Sequence, residues 1–364
     1  MKLKEITQYL EEIAPLSFQE SYDNSGLIVG HPDETINGAL ICLDSTEEVV
    51  DEAIEIGVNL IIAHHPIVFS GLKRFNGSNY IERVVMKAIK HDIAIYAIHT
   101  NLDNVANGVN AMICSALNIE NPTILAPKSG LLNKLVVFLP EENREGVKQA
   151  MFHSGAGEIG NYSNCSFSQI GTGTFKPSSA ANPHTGVKGE IHSASEERFE
   201  VIVESRNQRA VIAAMCKAHP YEEVAYDLFQ LQNKNSNIGS GMIGELSQDT
   251  PINEFFDQMK EALGVQVIKH TSLTKEKVRK IAVCGGSGSF LMQQAIGQKA
   301  DVFVTSDFKY HQFFDAERKT VIADIGHYES EHRVMEWLQG LLKQKFTTFA
   351  VRLTEINTNP VHYY

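Results

Sequence analysis

The chain has 364 residues, 43% of them hydrophobic, enough to bury a large core and more than a single domain usually holds. Its formal net charge of −12, with no cluster of Lys and Arg, excludes general affinity for a nucleic-acid backbone and leaves nucleic acid out of the expected partners. No stretch nears the roughly 18 consecutive apolar residues of a membrane span, and the five cysteines, Cys42, Cys114, Cys165, Cys216 and Cys284, form no C-x-x-C pair, so no membrane is expected and a reducing cytoplasm is the expected compartment.

The opening MKLKEITQYLEEIAP reads as an amphipathic helix whose acidic residues rule out a secretion signal. From Gly38 to about Leu117, ALICLD, VNLIIA and IAIYAI read as strands, with TEEVVDEAIEIG and YIERVVMKAIKH as helices between them, as in βαβ units. Apolar runs with little alternation predict strands covered on both faces, hence a mainly parallel sheet. Leu131 to Asn233 has another character: NKLVVFLPEENREGVKQAMFHSG reads as strand then helix, RFEVIVESRNQRAVIAAMCKAHPYEEVAYDLFQL as strand, helix, strand. The middle, Gly155 to Gly189, is rich in Gly, Ser, Thr and Asn. That order predicts a small α+β domain of βαββαβ type. After about residue 278 the first rhythm returns, with IAVCGG, DVFVTS and TVIADI as strands, FLMQQAIGQ and a less regular FFDAERK between them, and HRVMEWLQGLLKQ as a closing helix.

The outer stretches also resemble each other. AIEIGVNLIIAHHPIVF lines up with AIGQKADVFVTSDFKYH, and IAIYAIHTNLD with TVIADIGHYESE. This predicts two similar α/β halves with their motif loops on one shared side, although two ordinary βα units would produce the same likeness. The predicted organisation is an α/β core in two parts, 1–130 and 234–364, that complete one sheet system, with an α+β insertion at 131–233.

Ligands of open α/β sheets bind at the carboxyl ends of the strands, and the polar motifs sit there. VNLIIAHHP ends a buried strand in His64 and His65, stopped by Pro66; a packed, hydrogen-bonded histidine is the plainer alternative. Asp103, in IHTNLDNVANG, stands ahead of a helical pattern and reads on its own as a helix cap. In DIGHYESEHRVMEWL, His327 and Glu331 are four apart, on one face if the helix has begun. Together they make a mixed N/O set suited to zinc, manganese or iron rather than calcium. His99, Asp307, Lys309 and His311 are candidates for proton transfer or substrate anchoring. CGGSGS, residues 284–289, reads either as a phosphate-holding loop or as a tight turn.

The ordered set SYDNSGLIVG, LIIAHHP, HTNLD, CGGSG, TSDFKYHQFFDA and DIGHYESE resembles the NGG-interacting-factor-three-like family, labelled GTP cyclohydrolase I type 2 homologues. The resemblance implies that His64, His65, Asp103, His327 and Glu331 bind two divalent ions per subunit, zinc first, with Glu331 bridging. It further implies that the insertion is PII/CutA-like, HPYEEVAYDLF being similar to a CutA strand, and that the chain forms a toroidal homohexamer with trimer contacts through that insertion. The function it implies is a metal-dependent hydrolase of a nucleotide-like small molecule. The alternative is a regulatory or metal-handling protein in which the insertion senses a ligand or partner.

Overall fold

Short, unbroken apolar runs joined by helices with one apolar face stack as covered parallel strands, and here they do so twice. The computed structural model describes residues 1–364, which form two compact units, 1–127 with 236–364, and 128–235. The chain runs through α1 (Leu3–Ile13), β1 (Gly26–Val29), β2 (Gly38–Cys42), α2 (Glu47–Glu55), β3 (Leu60–Ala63), α3 (Tyr80–Lys90), β4 (Ala94–Ala97), α4 (Thr100–Asp103), α5 (Val109–Ala116) and β5 (Glu120–Lys128). The second unit holds β6 (Leu132–Pro140), α6 (Arg144–His153), β7 (Ser166–Phe175), β8 (His192–Glu204), α7 (Gln208–Ala218) and β9 (Tyr226–Gln230). The first unit then resumes with β10 (Asn235–Pro251), α8 (Ile252–Leu263), β11 (Lys269–His270), β12 (Lys277–Ser287), α9 (Met292–Gly297), β13 (Val302–Ser306), β14 (Val321–Asp324), α10 (His327–Glu331), α11 (Val334–Lys345) and β15 (Ala350–Leu353).

Two sheets, not one, organise the first unit: β1-β4-β3-β2-β15 and β11-β14-β13-β12-β10-β5. In each, an antiparallel edge strand, β1 on β4 or β11 on β14, flanks three parallel strands in reverse chain order. Register repeats too. Ala39, Leu60 and Ala94 sit side by side in one sheet as Ile281, Val302 and Val321 do in the other. The expectation of one sheet system therefore needs correcting to two, while the strands read from the sequence, β2-β3-β4 and β12-β13-β14, are parallel as expected, with β1, β10 and β11 added antiparallel to β4, β12 and β14. Each sheet also borrows a strand from the other part of the chain, β15 beside β2 and β5 beside β10.

Side-chain parity decides what meets what, since successive residues of a strand face opposite sides. Ile41, Leu60 and Ile62 of the first sheet share one core with Ile281, Val302 and Val304 of the second, filled in by the apolar faces of α1, α8 and α11, among them Ile6, Leu10, Phe255, Met259 and Leu338. Leu40, Ile61 and Ile95 turn the other way, onto Val49 and Val84 of α2 and α3. Phe303 and Ile322 turn onto Met292 and Ala295 of α9. Both outer helices of the first sheet start on side-chain caps: Thr46 accepts from the Val49 N–H and Asn79 from the Glu82 N–H. With the strands so fixed, the loops after β2, β3 and β4, and after β12, β13 and β14, all leave at carboxyl ends.

The second unit is βαββαβ with strand order β7-β8-β6-β9, every neighbouring pair antiparallel. Val147 and Met151 of α6 and Val211 and Met215 of α7 pack on Leu135, Val137, Phe199 and Val201 of its sheet. No helix of the chain is long and apolar enough to cross a membrane.

Candidate metal centre

Cys42, Ala63 and Ala97 are register partners at the ends of β2, β3 and β4, so two residues further on Asp44, His65 and His99 emerge from three adjacent strands together. The ladder carries on just past β3, where the His64 and His65 N–H groups donate to Cys42 O and Leu43 O at 3.1 and 2.9 Å, and then stops at Pro66, which has no N–H to give. From the second sheet come His327 and Glu331, which open and close α10; their side chains meet at 3.0 Å, as i, i+4 spacing requires. The potential ligand atoms gather in overlapping triads: His64, Asp103 and Glu331; His65, His327 and Glu331; and His64, His65 and His99. Glu331 belongs to the first two.

Every imidazole in the cluster is held from behind through Nδ1. His64 donates to Ile98 O at 2.8 Å, His65 to Asp44 at 2.8 Å, His99 to Asp23 at 2.8 Å and His327 to Asp307 at 2.6 Å. Such partners set tautomer and ring direction, and leave Nε2 facing inward. For His64 the result is conspicuous. Its Nε2 is buried without a hydrogen-bond partner, as is Asp103 Oδ1, and the two lie 3.7 Å apart, with Glu331 Oε1 3.9 Å from the same nitrogen. Buried acceptors that face one another without a donor are costly unless a cation lies between them. Ligands about 2.1 Å from a tetrahedral zinc stand about 3.4 Å apart, so the donor set fits a divalent metal in chemistry and in spacing.

The charges respond accordingly. Burial alone would raise the Glu331 carboxyl, but the facing His327, His64 and His65 hold it well below the usual range. Burial dominates at Asp103 and pushes its carboxyl up. Burial disfavours protonated His65 and His327, yet their carboxylate neighbours prevail and lift them to about 9 and about 11. Burial would raise Asp23 too, but the hydrogen bond and charge of His99, helped by Thr100, hold it low.

Asp103 does not cap the helix that follows: the N-cap of α5 is Gly108, and Asp103 ends the four-residue α4 with its carboxylate turned to His64. In the CGGSGS loop the Gly285 N–H donates to Asn110 Oδ1 and the Gly286 N–H to Ser330 Oγ, so these two N–H groups are already taken. Gly286 has φ 60°, and a Cβ there would collide with Glu331 Oε1; the loop makes room for the carboxylate. Asp307 orients His327, and His99 joins the imidazole group. Lys309 and His311 are not brought in: both are exposed, outside the cavity lining, and the His311 ring rests against Tyr310 and Phe314 on a 3₁₀ turn. Reading the sequence missed Asp44 and Asp23. Asp44 was signalled only by its place after β2, and Asp23 only by its membership of the SYDNSG motif.

The centre opens into a cavity of about 720 Å³ whose walls include Tyr22, Phe69, Tyr80 and Phe290, a size suited to a small molecule. Fold and site together define a class: a two-sheet α/β protein with a His/carboxylate centre, able to hold metal, at the carboxyl ends of both sheets. A family model described as Duf34/NIF3 (NGG1p interacting factor 3) matches residues 1–360, and the chain belongs to that family, as its ordered motifs implied. It is 41% identical over 360 residues to a Halalkalibacterium halodurans protein named GTP cyclohydrolase 1 type 2 homolog, covering 98% of this chain and 97% of that one. A Bacillus subtilis protein of the same name is 37% identical over 362 residues, covering 98% and 97%. The solved structure of a Bacillus cereus protein related to NIF3 matches with a TM-score of 0.85 at 39% identity, over 100% of this chain and 99% of that one.

Proposed function

We propose that the chain is a dinuclear metal-dependent hydrolase of a nucleotide-like small molecule. His64, Asp103 and Glu331 would hold one divalent ion and His65, His327 and Glu331 the other, with Glu331 serving both. Zinc suits this set first, manganese or iron next. The observation that carries the reading is the partnerless His64 Nε2 facing Asp103 and Glu331. When bound, such a pair of ions activates water and neutralises developing negative charge. The chain's own residues do the rest: Asp44, Asp307 and the Ile98 carbonyl hold the imidazoles in direction, and His99, backed by Asp23, stands next to His64 and His65 as a proton carrier. Phe69, whose ring meets that of His99 edge to face at 5.5 Å, offers a surface for a planar base. The relatives' name points to an amide or amidine carbon of a purine nucleotide as the target.

The reading extends to a cytoplasmic homohexamer whose trimer contacts run through the second unit, taken as PII/CutA-like. Exposed Phe167 and Ile170 on β7 and Phe229 on β9 support that use of its surface, and light scattering in solution measures the assembly. Metal analysis of protein purified without added metal should find two ions per chain. Hydrolysis of a nucleotide and phosphoester panel, with Glu331→Ala as the control, tests the activity. Equal inactivity of wild type and variant on every substrate would overturn the hydrolase and leave the regulatory or metal-handling alternative.

A further inference from the structure

Beyond β15 the chain does not turn away from the site but runs back across it. The Thr354 N–H donates to Ile41 O at 2.9 Å, and Glu52 on α2 receives both the Thr354 hydroxyl and the Glu355 N–H, the latter at 2.8 Å. Thr358 then donates its hydroxyl to Asp44 Oδ2 at 2.9 Å, while Asp44 Oδ1 holds His65 Nδ1 at 2.8 Å. One residue on, Asn359 Nδ2 donates to Glu329 Oε1 at 3.2 Å, on the short helix that carries His327 and Glu331. Internal turns stiffen the segment, since the Asn359 N–H donates to Asn357 Oδ1 and the Val361 N–H to Asn359 Oδ1, each at 3.0 Å. Asn359, Pro360, Val361 and Tyr363 form part of the cavity wall.

This path joins the two sources of ligands. Its first anchor acts on His65, from the first sheet; its second lies two residues from Glu331, from the second. A carboxylate that holds an imidazole by one oxygen can still swing about its own axis unless the other oxygen is tied, and Thr358 supplies that tie. We propose that residues 354–361 form a strap that fixes the His65–His327–Glu331 cluster, with Thr358 the positioning residue that acts on His65 through Asp44. The inference rests on the dinuclear reading above and assigns the strap a part in metal binding rather than in stability alone.

The test is zinc competition against a chromophoric chelator, run on the metal-loaded full chain. Thr358→Val keeps the shape and removes the hydroxyl, and Thr358→Ser restores it. Removing the partner that orients a metal-bound histidine weakens affinity by about 10–100-fold; one bond further out, T358V should weaken one of the two sites by about threefold to tenfold. The other site, the T358S protein and the melting temperature of the metal-free protein should all match wild type. A chain ending at Leu353, which lacks both anchors, should lose the same site more severely. Should T358V bind zinc as wild type does, or lose both sites equally along with metal-free stability, the strap is merely structural and the inference is overturned. Failure of the wild type to take up zinc at all would instead sink the metal reading, and this inference with it.

Discussion

Metal uptake should depend steeply on pH, because an ion entering the His65–His327–Glu331 cluster has to displace protons that the metal-free site holds. Nε2 of His65 and of His327 each lie 3.0 Å from Glu331 Oε2 and 3.3 Å from each other. Burial opposes the protonated form of both, but Asp44 and Glu331 raise His65 from 6.5 to about 9, and Glu331 and Asp307 raise His327 to about 11. Raised values mean that these contacts stabilise the metal-free fold fully below about pH 6.5, and that the contribution is lost as pH climbs through 9 and then 11. Metal needs both imidazoles neutral. Between pH 7 and about 9, therefore, two protons should leave for each ion bound there, and log affinity should rise about two units per pH unit. For His65 alone, two units between pH 7 and its raised value weaken binding about a hundredfold, about 2.7 kcal/mol. Calorimetric zinc titrations from pH 6.5 to 8.5, in buffers of different ionisation heat, count the protons directly. A count near zero at pH 7, or an affinity flat across that range, would refute the idea that ion and proton compete for these nitrogens.

Three further substitutions separate site from scaffold. Glu331→Gln keeps the side-chain shape but removes the charge shared by both triads, so metal content measured by emission spectroscopy should fall at both sites and the pH slope should flatten. Gly286→Ala puts a methyl group against Glu331 Oε1 and should abolish tight zinc binding while circular dichroism still reports a folded chain; an unaltered zinc affinity would show that the close approach has no function. Phe303→Ala empties a fully buried position between the second sheet and α9 and should cost about 3–5 kcal/mol in urea denaturation, with the metal content of the folded fraction unchanged.

The strand rhythm and the ends that carry His64, His65, His327 and Glu331 were legible because buried parallel strands and an i, i+4 pair impose patterns on neighbouring residues. β10 was not. NSNIGSGMIGELSQDTP looks like a loop, yet a Cβ at Gly239 or Gly244 would run into the Ala126 or Glu120 carbonyl of β5; those glycines let two backbones approach inside a sheet. Asp103, taken by itself, looks like a cap for a related reason. The signal for a cap is local, whereas what draws its carboxylate inward is His64, brought to it by the fold. Asp44 and Asp23 left still less trace, because a lone carboxylate that backs a histidine has no spacing of its own, and His99 and Asp23 are 76 positions apart.

The repeat explains both what could be read and what could not. Register matches β3 with β13, so that His65 and Asp307 hold the same place in the two halves. There one half places an inward-facing imidazole and the other the carboxylate that orients one. Backbone position is thus shared while chemistry is divided between the halves: His64 and Asp103 need Glu331 from the second half, and His327 and Glu331 need His65 from the first. Aligning the halves locates the site but cannot assign its roles, since neither copy alone completes a triad that includes a carboxylate. Complementary halves also give the strap its leverage, because a segment anchored at Asp44 and Glu329 ties the part of the chain that supplies His65 to the part that supplies Glu331.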